Sequence, residues 1–369
     1  MQEPLLITPP ELADGAAGSP LFARDGFPID PILFVDLDAS DDPRALGVAR
    51  DSQRILVGVA SHRVTGPLVA ALDLTVVPRN FVASEPGGTG IRTMLPFVGV
   101  DDPLATAGVL AEAVAANRQA AIVLAGLLRA DFPAERAALV AESLAYSTLL
   151  AGPEFRRWLD VTPRPDRPVE VADPVLVRRE ETPIAEILHV TLNRPERRNA
   201  YGRQLRDALV DALTVARNFA REEGFARAKD SRLRVYLDGA GPSFCAGGDL
   251  AEFGTAPDPV TAHLVRLYAG AALPMLELSD HIEARVHGPC VGAGVELPAF
   301  AGRLIAAPGT TFRLPELSMG LIPGAGGTVS LPRRIGRWRT LYLLLSGVEL
   351  DLDTALAWRL VDGIGPVVA

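Results

Sequence analysis

Two glutamates, Glu296 and Glu316, lie beside glycine-rich turns and are the strongest candidates for catalytic residues in this chain. Glu296 belongs to the segment 291–297 (VGAGVEL), and Glu316 precedes a glycine-rich stretch that reaches Thr328. A third glycine turn, residues 244–250 (FCAGGDL), comes before both. Two carboxylates close to exposed backbone N–H groups are what proton transfer beside a polarised carbonyl requires.

The glycine turns themselves offer hydrogen-bond donors. A glycine turn that opens a helix leaves backbone N–H groups unpaired and directed outward. Gly247 and Gly248 suit the close approach of a ligand because they carry no β-carbon. Two such turns that face each other could bind the oxygen of a thioester enolate. The alternative for this segment alone is a tight turn in which Asp249 caps a helix.

Both glutamates are expected in buried surroundings. Glu296 closely follows a glycine turn, so we predict it in the first turn of a helix, where the helix dipole favours its charged form while burial raises its pKa. Glu316 lies in an apolar stretch from Phe312 to Leu321, where a carboxylate needs a partner or a purpose. Each alone is typical of a capping or ion-paired residue. Together they could hold one water molecule and transfer protons as general acid and base.

Other chemistries have weaker support. The histidines show no metal-ligand spacing, so no metal site is predicted. A Ser-His-Asp triad stays open, although no Gly-x-Ser-x-Gly elbow is present. Cys245 is predicted to pack inward rather than to act as a nucleophile. The glycine run at 324–328 lacks the Gly-Lys-Ser/Thr ending of a phosphate-binding loop.

Composition argues against several classes of protein. The chain has 369 residues and a formal net charge of −9, which disfavours a nucleic-acid-binding surface. No apolar run approaches the roughly 18 residues of a membrane span, and the first residues lack the features of a signal peptide. The two cysteines do not have the spacing of a zinc site or a disulfide framework. We therefore expect a cytoplasmic protein with neither membrane nor nucleic acid as a partner.

A proline-rich segment predicts the domain organisation. Residues 161–174 hold four prolines in a polar context, which is typical of an extended linker. We predict an N-terminal α/β domain over residues 1–160 and a second domain over residues 175–369. Strand-like and helix-like segments alternate along residues 175–369, which favours an α/β fold with sites at strand-to-helix turns. The elements expected are strands at 32–37, 55–59, 74–77 and 187–192, two or three helices in 103–159 broken near Phe132, and a helix over 203–221.

Three motifs in order resemble the crotonase (enoyl-CoA hydratase/isomerase) superfamily. They are residues 193–200 (NRPERRNA), the turn at 244–250, and the stretch from Pro315 to Thr328. The resemblance covers about Val175 to Val368 and implies the crotonase (ClpP-like) spiral of ββα units, which form two nearly perpendicular sheets. It also implies a homo-oligomer (trimer or hexamer) and an acyl-CoA substrate, with coenzyme A as part of the substrate and no other cofactor.

The resemblance also assigns roles to residues. The oxyanion donors fall on the backbone N–H groups of Gly248 and Ala293, where alanine stands for a common glycine. The two acids of a hydratase fall on Glu296 and Glu316, and Gly324 falls beside the catalytic water. Contacts with the substrate and its CoA are implied for Arg198, Asn199, Ala200, Ala246, Gly247 and Leu250.

The C-terminal end of the sequence departs from the family. The sequence ends soon after Asp362, where the family continues through helices that close the site. Residues 103–159 resemble parts of that terminal segment, so the N-terminal domain is expected to supply it. We interpret residues 30–160 as a degenerate crotonase-like half without a catalytic pair. An unrelated α/β accessory domain is the alternative.

Retention of both glutamates favours an enoyl-CoA hydratase or dehydratase, a lyase. Within the same family the alternatives are a double-bond isomerase, a thioester hydrolase, an enzyme that cleaves C–C bonds, and a cofactor-free aryl-acetyl-CoA dioxygenase. A noncatalytic subunit that binds acyl-CoA is the alternative from another class.

Overall fold

The computed structural model of the chain describes residues 4–81, 96–167, 169–222 and 231–366. Contacts within the chain define two compact units. Unit 1 comprises Met1–Asp131, Leu317–Ile322 and Ile335–Gly347, and unit 2 comprises Phe132–Glu316, Pro323–Arg334 and Val348–Ala369. Residues 132–161 thus belong to unit 2. The predicted domain limits of 1–160, 161–174 and 175–369 stay predictions.

Unit 1 contains a five-stranded sheet in which each strand pairs in parallel with the next one along the chain. A parallel sheet covered on both faces requires nearly continuous apolar strands, and all five residues of the third strand are buried. The strands predicted at 32–37, 55–59 and 74–77 are confirmed. The strands are β1 Leu6–Ile7, β2 Ile32–Asp36, β3 Ile55–Val59, β4 Leu74–Pro78 and β5 Phe97–Val100.

Short helices connect these strands, and two longer helices follow them. The longer two meet at Asn117, whose φ of −140° and ψ of 69° are not helical, and the chain bends there by 111°. The helices are α1 Pro9–Glu11, a π-helix Leu12–Ala16, α2 Ala45–Asp51, α3 Pro67–Ala71, α4 Pro103–Ala116 and α5 Arg118–Arg129.

Unit 2 contains a six-stranded sheet and a two-stranded sheet. The strands are β6 Val175–Glu181, β7 Glu186–Leu192, β8 Leu233–Gly239, β9 Ile282–Val286, β10 Pro289–Val291, β11 Arg303–Ala306, β12 Thr311–Arg313 and β13 Gly363–Ile364. The larger sheet has the order β13-β11-β9-β8-β7-β6, in which β6 and β7 pair antiparallel and the other neighbouring strands pair in parallel. The smaller sheet pairs β10 with β12 in parallel.

The helices of unit 2 follow the expected apolar spacing. Leu205, Leu209 and Leu213 are buried along the helix predicted over 203–221, which is confirmed. The prediction of two or three helices in 103–159 was wrong, because four are present and Asn117 interrupts the first pair without a glycine or proline. The helices are α6 Glu135–Leu150, α7 Pro153–Val161, α8 Arg203–Glu222, α9 Pro259–Tyr268, α10 Ala272–Glu277, α11 Ala293–Glu296 and α13 Leu352–Ala357, and α12 Gly327–Ser346 includes residues of both units.

The described residues contain neither a single helix that could span a membrane nor a metal-binding cluster. No single helix there is long and apolar enough to cross a membrane, and only the bent pair α4 and α5 together reaches that length and composition. The same residues hold no group of three or more His, Cys, Asp or Glu side chains that could bind a metal ion.

Candidate active site

The Glu316 carboxyl group lies against Gly292, whose carbonyl accepts the backbone N–H of Glu296 at 2.9 Å. β10 ends at Val291, and Gly292 then takes φ 49° and ψ −117°, a conformation that L side chains rarely adopt, to open α11. A β-carbon placed on Gly292 would lie 2.7 Å from Glu316 Oε1. Glu296, the last residue of α11, is 3% exposed. The two acids singled out by the sequence interact, because the charge of Glu316 adds to burial in raising the pKa of Glu296.

Glu316 is held by few partners. It is 8% exposed and begins a 3₁₀ turn, Glu316–Met319. Its Oε2 atom is buried, and within the described part of the chain it has no hydrogen-bond partner. An unpaired carboxylate oxygen is costly to bury, so this group favours its protonated form.

Glu296 is held by the turn that opens α12. Its Oε2 atom accepts hydrogen bonds from the backbone N–H groups of Ala325 (2.7 Å) and Gly327 (2.9 Å). Ser330 also donates its hydroxyl hydrogen to the Glu296 backbone carbonyl, at 2.8 Å. These bonds fix the carboxyl group through one oxygen.

The predicted oxyanion turn lies against the start of α11. Val291 N–H donates to the Cys245 carbonyl at 3.1 Å, and a β-carbon on Gly294 would lie 2.0 Å from that same oxygen. The approach requires glycine at position 294. Among the described residues, neither the Gly248 N–H nor the Ala293 N–H has a protein acceptor. Their convergence on one thioester oxygen stays a prediction.

Aromatic side chains pack behind the oxyanion turn. A β-carbon on Gly248 would lie 2.7 Å from the Phe253 ring. That ring packs against Phe155 and Trp158 of α7, with centroids 6.4 and 5.8 Å away. α7 therefore supports the segment that carries the predicted donor at Gly248.

A third buried carboxylate, Glu142 of α6, was missed by the sequence reasoning. Its Oε1 accepts from the Gly326 N–H (2.7 Å), and its Oε2 accepts from the Thr328 N–H (2.8 Å) and hydroxyl (2.7 Å). Glu142 and Glu296 therefore bind alternate N–H groups of the same turn. The available signal was the position of Glu142 three residues after Leu139, on the buried side of α6.

Besides burial, the charge of Glu142 raises the pKa of both Glu296 and Glu316. Burial raises the pKa of Glu142 to about 7, against the hydrogen bonds from Thr328 and Gly326. Burial, and then the charge of Glu142, raise the pKa of Glu316 to about 7. Burial followed by the charges of Glu316 and Glu142 raises the pKa of Glu296 well above its ordinary value. The cluster therefore retains protons near neutral pH and titrates as a unit.

Tyr146 of α6 covers Gly324, the residue predicted beside the catalytic water. A β-carbon on Gly324 would lie 2.5 Å from the Tyr146 ring. The Arg266 guanidinium lies 3.9 Å from the centroid of this ring. Burial raises the pKa of Tyr146 to about 12, so its phenol stays neutral. The sequence reasoning also missed Tyr146 and Arg266.

The segments predicted to contact CoA lie side by side. The Ala246 N–H donates to the Arg198 carbonyl at 2.9 Å, and Arg198 and Asn199 both take left-handed φ angles. The Asn199 side chain accepts a hydrogen bond from the backbone N–H of residue 194 and donates to the backbone carbonyls of residues 240 and 243. Any contact of Asn199 with CoA therefore uses its main chain. Ala200, Gly247 and Leu250 lie in the same pair of segments, and the role of the set stays a prediction.

Residues 183–369, half of the chain, match the family described as enoyl-CoA hydratase/isomerase. The chain belongs to this family, which confirms the predicted crotonase superfamily and its α/β fold. α6 and α7 precede the matched residues, so Glu142 and Tyr146 reach the site from outside the family match.

Curated relatives of two activities match with the same sequence identity. The 1,2-epoxyphenylacetyl-CoA isomerase of Escherichia coli K12 is 32% identical over 181 residues, covering 47% of this chain and 64% of the relative. The 2,3-dehydroadipyl-CoA hydratase of the same strain is 32% identical over 181 residues, covering 49% and 66%. The chain thus spans less than two thirds of either relative. An enoyl-CoA hydratase structure from Bacillus anthracis matches with 29% identity and a TM-score of 0.44, covering 53% of this chain and 71% of that one.

Proposed function

We propose that this protein catalyses the reversible addition of water to the double bond of an enoyl-CoA thioester. The observation that carries the proposal is the Glu316 carboxyl group against Gly292, at the start of the helix that ends in buried Glu296. The nearby Gly248 and Ala293 N–H groups have no acceptor among the described residues. Family membership supports a crotonase-type reaction on an acyl-CoA. The hydratase among the relatives supports hydration as that reaction.

The proposed mechanism separates the roles of donors and acids. The N–H groups of Gly248 and Ala293 bind the thioester oxygen and stabilise the enolate that forms when hydroxide adds to the β-carbon. One carboxylate of the glutamate pair takes a proton from water as its oxygen attacks the β-carbon. The carboxylic acid of the pair gives a proton to the α-carbon. The raised pKa values of Glu296 and Glu316 supply one proton donor and one acceptor near neutral pH.

The remaining expectations accompany this proposal. Residues 198–200 and 246–250 would hold the CoA portion, and no cofactor other than the substrate's own coenzyme A is required. A trimer or hexamer and a cytoplasmic location stay predictions.

The proposal is tested with crotonyl-CoA and two conservative variants. E296Q and E316Q should each lower the hydration rate by about 10²–10⁴-fold, because an amide can neither accept nor deliver the proton. CoA affinity, measured by calorimetry, should change little because the predicted CoA contacts lie elsewhere. Wild-type turnover in either variant would remove that glutamate from the mechanism.

Isomerisation of the double bond is the second candidate, favoured by the equal identity to an isomerase. Turnover in water enriched with oxygen-18 separates the two reactions. Hydration places one labelled oxygen on the β-carbon, whereas isomerisation moves a proton and incorporates none.

A further inference from the structure

Tyr146 and Arg266 present hydrogen-bond donors for which the described residues provide no acceptor. The Arg266 Nη1 atom donates to the Ser147 hydroxyl (2.9 Å) and to the Ala262 carbonyl (3.3 Å). Within the described ranges, its Nε and Nη2 atoms and the Tyr146 hydroxyl have no protein partner, and none of these atoms is fully enclosed. One edge of the guanidinium and the phenol are therefore free to donate.

These donors are fixed in place. The guanidinium lies over the Tyr146 ring at 3.9 Å, a cation–π contact that restrains both side chains. The ring in turn lies on Gly324, where no β-carbon would fit. The Ser147 hydroxyl, one residue after Tyr146 on α6, holds the opposite edge of the guanidinium.

We infer that Tyr146 and Arg266 form a subsite for an acceptor oxygen of the acyl group, so that the substrate is an oxygenated enoyl-CoA rather than a plain alkyl one. The inference rests on the proposed function, because it assumes that the acyl group lies between Glu296 and Gly324. The ligand chemistry is a ketone or carboxylate oxygen at the far end of a short chain.

The chemistry of the pair favours this class of ligand. The ionised glutamates nearby only accept hydrogen bonds, whereas the guanidinium edge only donates and the phenol can donate its hydrogen to a ligand oxygen. An alkyl chain would displace water from these donors without replacing its hydrogen bonds, and that loss penalises binding. An acceptor oxygen would restore the bonds.

The test measures binding of three saturated thioesters of equal chain length by calorimetry: hexanoyl-CoA, 5-oxohexanoyl-CoA and adipyl-CoA. At least one oxygenated thioester should bind about tenfold tighter than hexanoyl-CoA. Y146F and R266K should each remove most of that advantage, and Y146F should bind hexanoyl-CoA at least as tightly as wild type because it lacks the phenol donor that an alkyl chain leaves unpaired. Both variants keep the ring or the charge, and Y268F, on the exposed end of α9, is the matched control and should keep the wild-type preference.

The relative affinities of the three thioesters support or overturn the subsite. A preference for adipyl-CoA alone identifies a carboxylate as the ligand, and a preference for both identifies any acceptor oxygen. Equal affinity for all three thioesters, or a preference that survives both variants, overturns the subsite. Saturated thioesters cannot be hydrated, so failure of the hydration assay with a preserved binding preference would remove the proposed reaction but not the subsite.

Discussion

Glu316 and Glu296 differ in how the protein solvates their carboxyl groups. One oxygen of Glu296 accepts hydrogen bonds from two backbone N–H groups. In Glu316, by contrast, the Oε2 atom is buried and has no hydrogen-bond partner among the described residues. Burial makes the charged form of Glu316 unfavourable, and its pKa rises to about 7. A residue that costs stability in its ionised state is typical of a functional site.

This difference predicts a pH-dependent gain in stability for E316Q. The pKa of Glu316 is raised from an ordinary 4.5 to about 7, so the folded state binds the proton more tightly than the unfolded chain. The resulting stability is present below about pH 4.5 and is lost as pH rises through about 7. Glutamine removes the ionisation, so the variant should exceed wild type by up to about 3 kcal/mol at about pH 8 and by little at about pH 5.

Urea denaturation at the two pH values measures this difference in the free energy of unfolding. E349Q, at an exposed position, is the control and should stay within about 0.5 kcal/mol of wild type. A variant less stable than wild type at the higher pH would contradict the account of Glu316 burial.

At the scale of elements, the start of α12 depends on two carboxylates from other helices. α11 supplies Glu296 and α6 supplies Glu142 to one turn, residues 325–328. The first N–H groups of a helix have no partner within it, and here side chains provide the acceptors. The position of Glu296 is thus coupled to α6 through the backbone of this turn.

E142A should therefore reduce both stability and turnover. The variant leaves the Gly326 N–H and both donors of Thr328 buried without an acceptor, at a cost of about 2–4 kcal/mol. The turn should then shift and misalign Glu296, so kcat on crotonyl-CoA should fall more than about tenfold while KM changes little. T328V removes only the hydroxyl and should cost about 1 kcal/mol. An unchanged kcat in a folded E142A protein would show that the coupling does not operate.

At the scale of the whole molecule, each unit has its own buried polar framework. In unit 1, Asp73 accepts from the Leu56 N–H at 2.7 Å and from Arg129 Nε at 2.5 Å. Arg129 Nη1 also donates to the Ser52 carbonyl at 2.9 Å. The ion pair thus joins α5 to the segments that flank β3 and β4.

R129A should destabilise unit 1. The variant leaves the Asp73 carboxylate buried without its cation, which costs about 3–5 kcal/mol when a buried pair is broken. The urea midpoint followed by circular dichroism measures the loss. D101N breaks the exposed pair with Arg79 and should leave the midpoint unchanged. Equal midpoints for R129A and wild type would contradict the structural role of the Asp73–Arg129 pair.

The sequence predicted the parts of the site that are local in the chain. Glu296, Glu316 and the glycine turns were found because glycine and glutamate occur together within a few positions. Glu142 was not predicted as a site residue, because its hydrogen-bond partners Gly326 and Thr328 lie 184 and 186 residues away in the chain. A single sequence carries no signal of such pairing. Strands β2, β3, β4 and β7 were predicted from short apolar or β-branched runs. The break at Asn117 has no glycine or proline to mark it. The kinship of residues 30–160 with a crotonase half stays a prediction.

The alternation of acceptors along residues 325–328 constrains the length of this segment. Successive amides go to Glu296, Glu142, Glu296 and Glu142 in strict order. Deleting or inserting one residue here would offer each acid the amides that belong to the other, from the wrong direction. Loops usually accommodate such changes in length. We expect this loop to tolerate no change in length, because Glu142 of α6 and Glu296 of α11 each accept hydrogen bonds from specific amides within it.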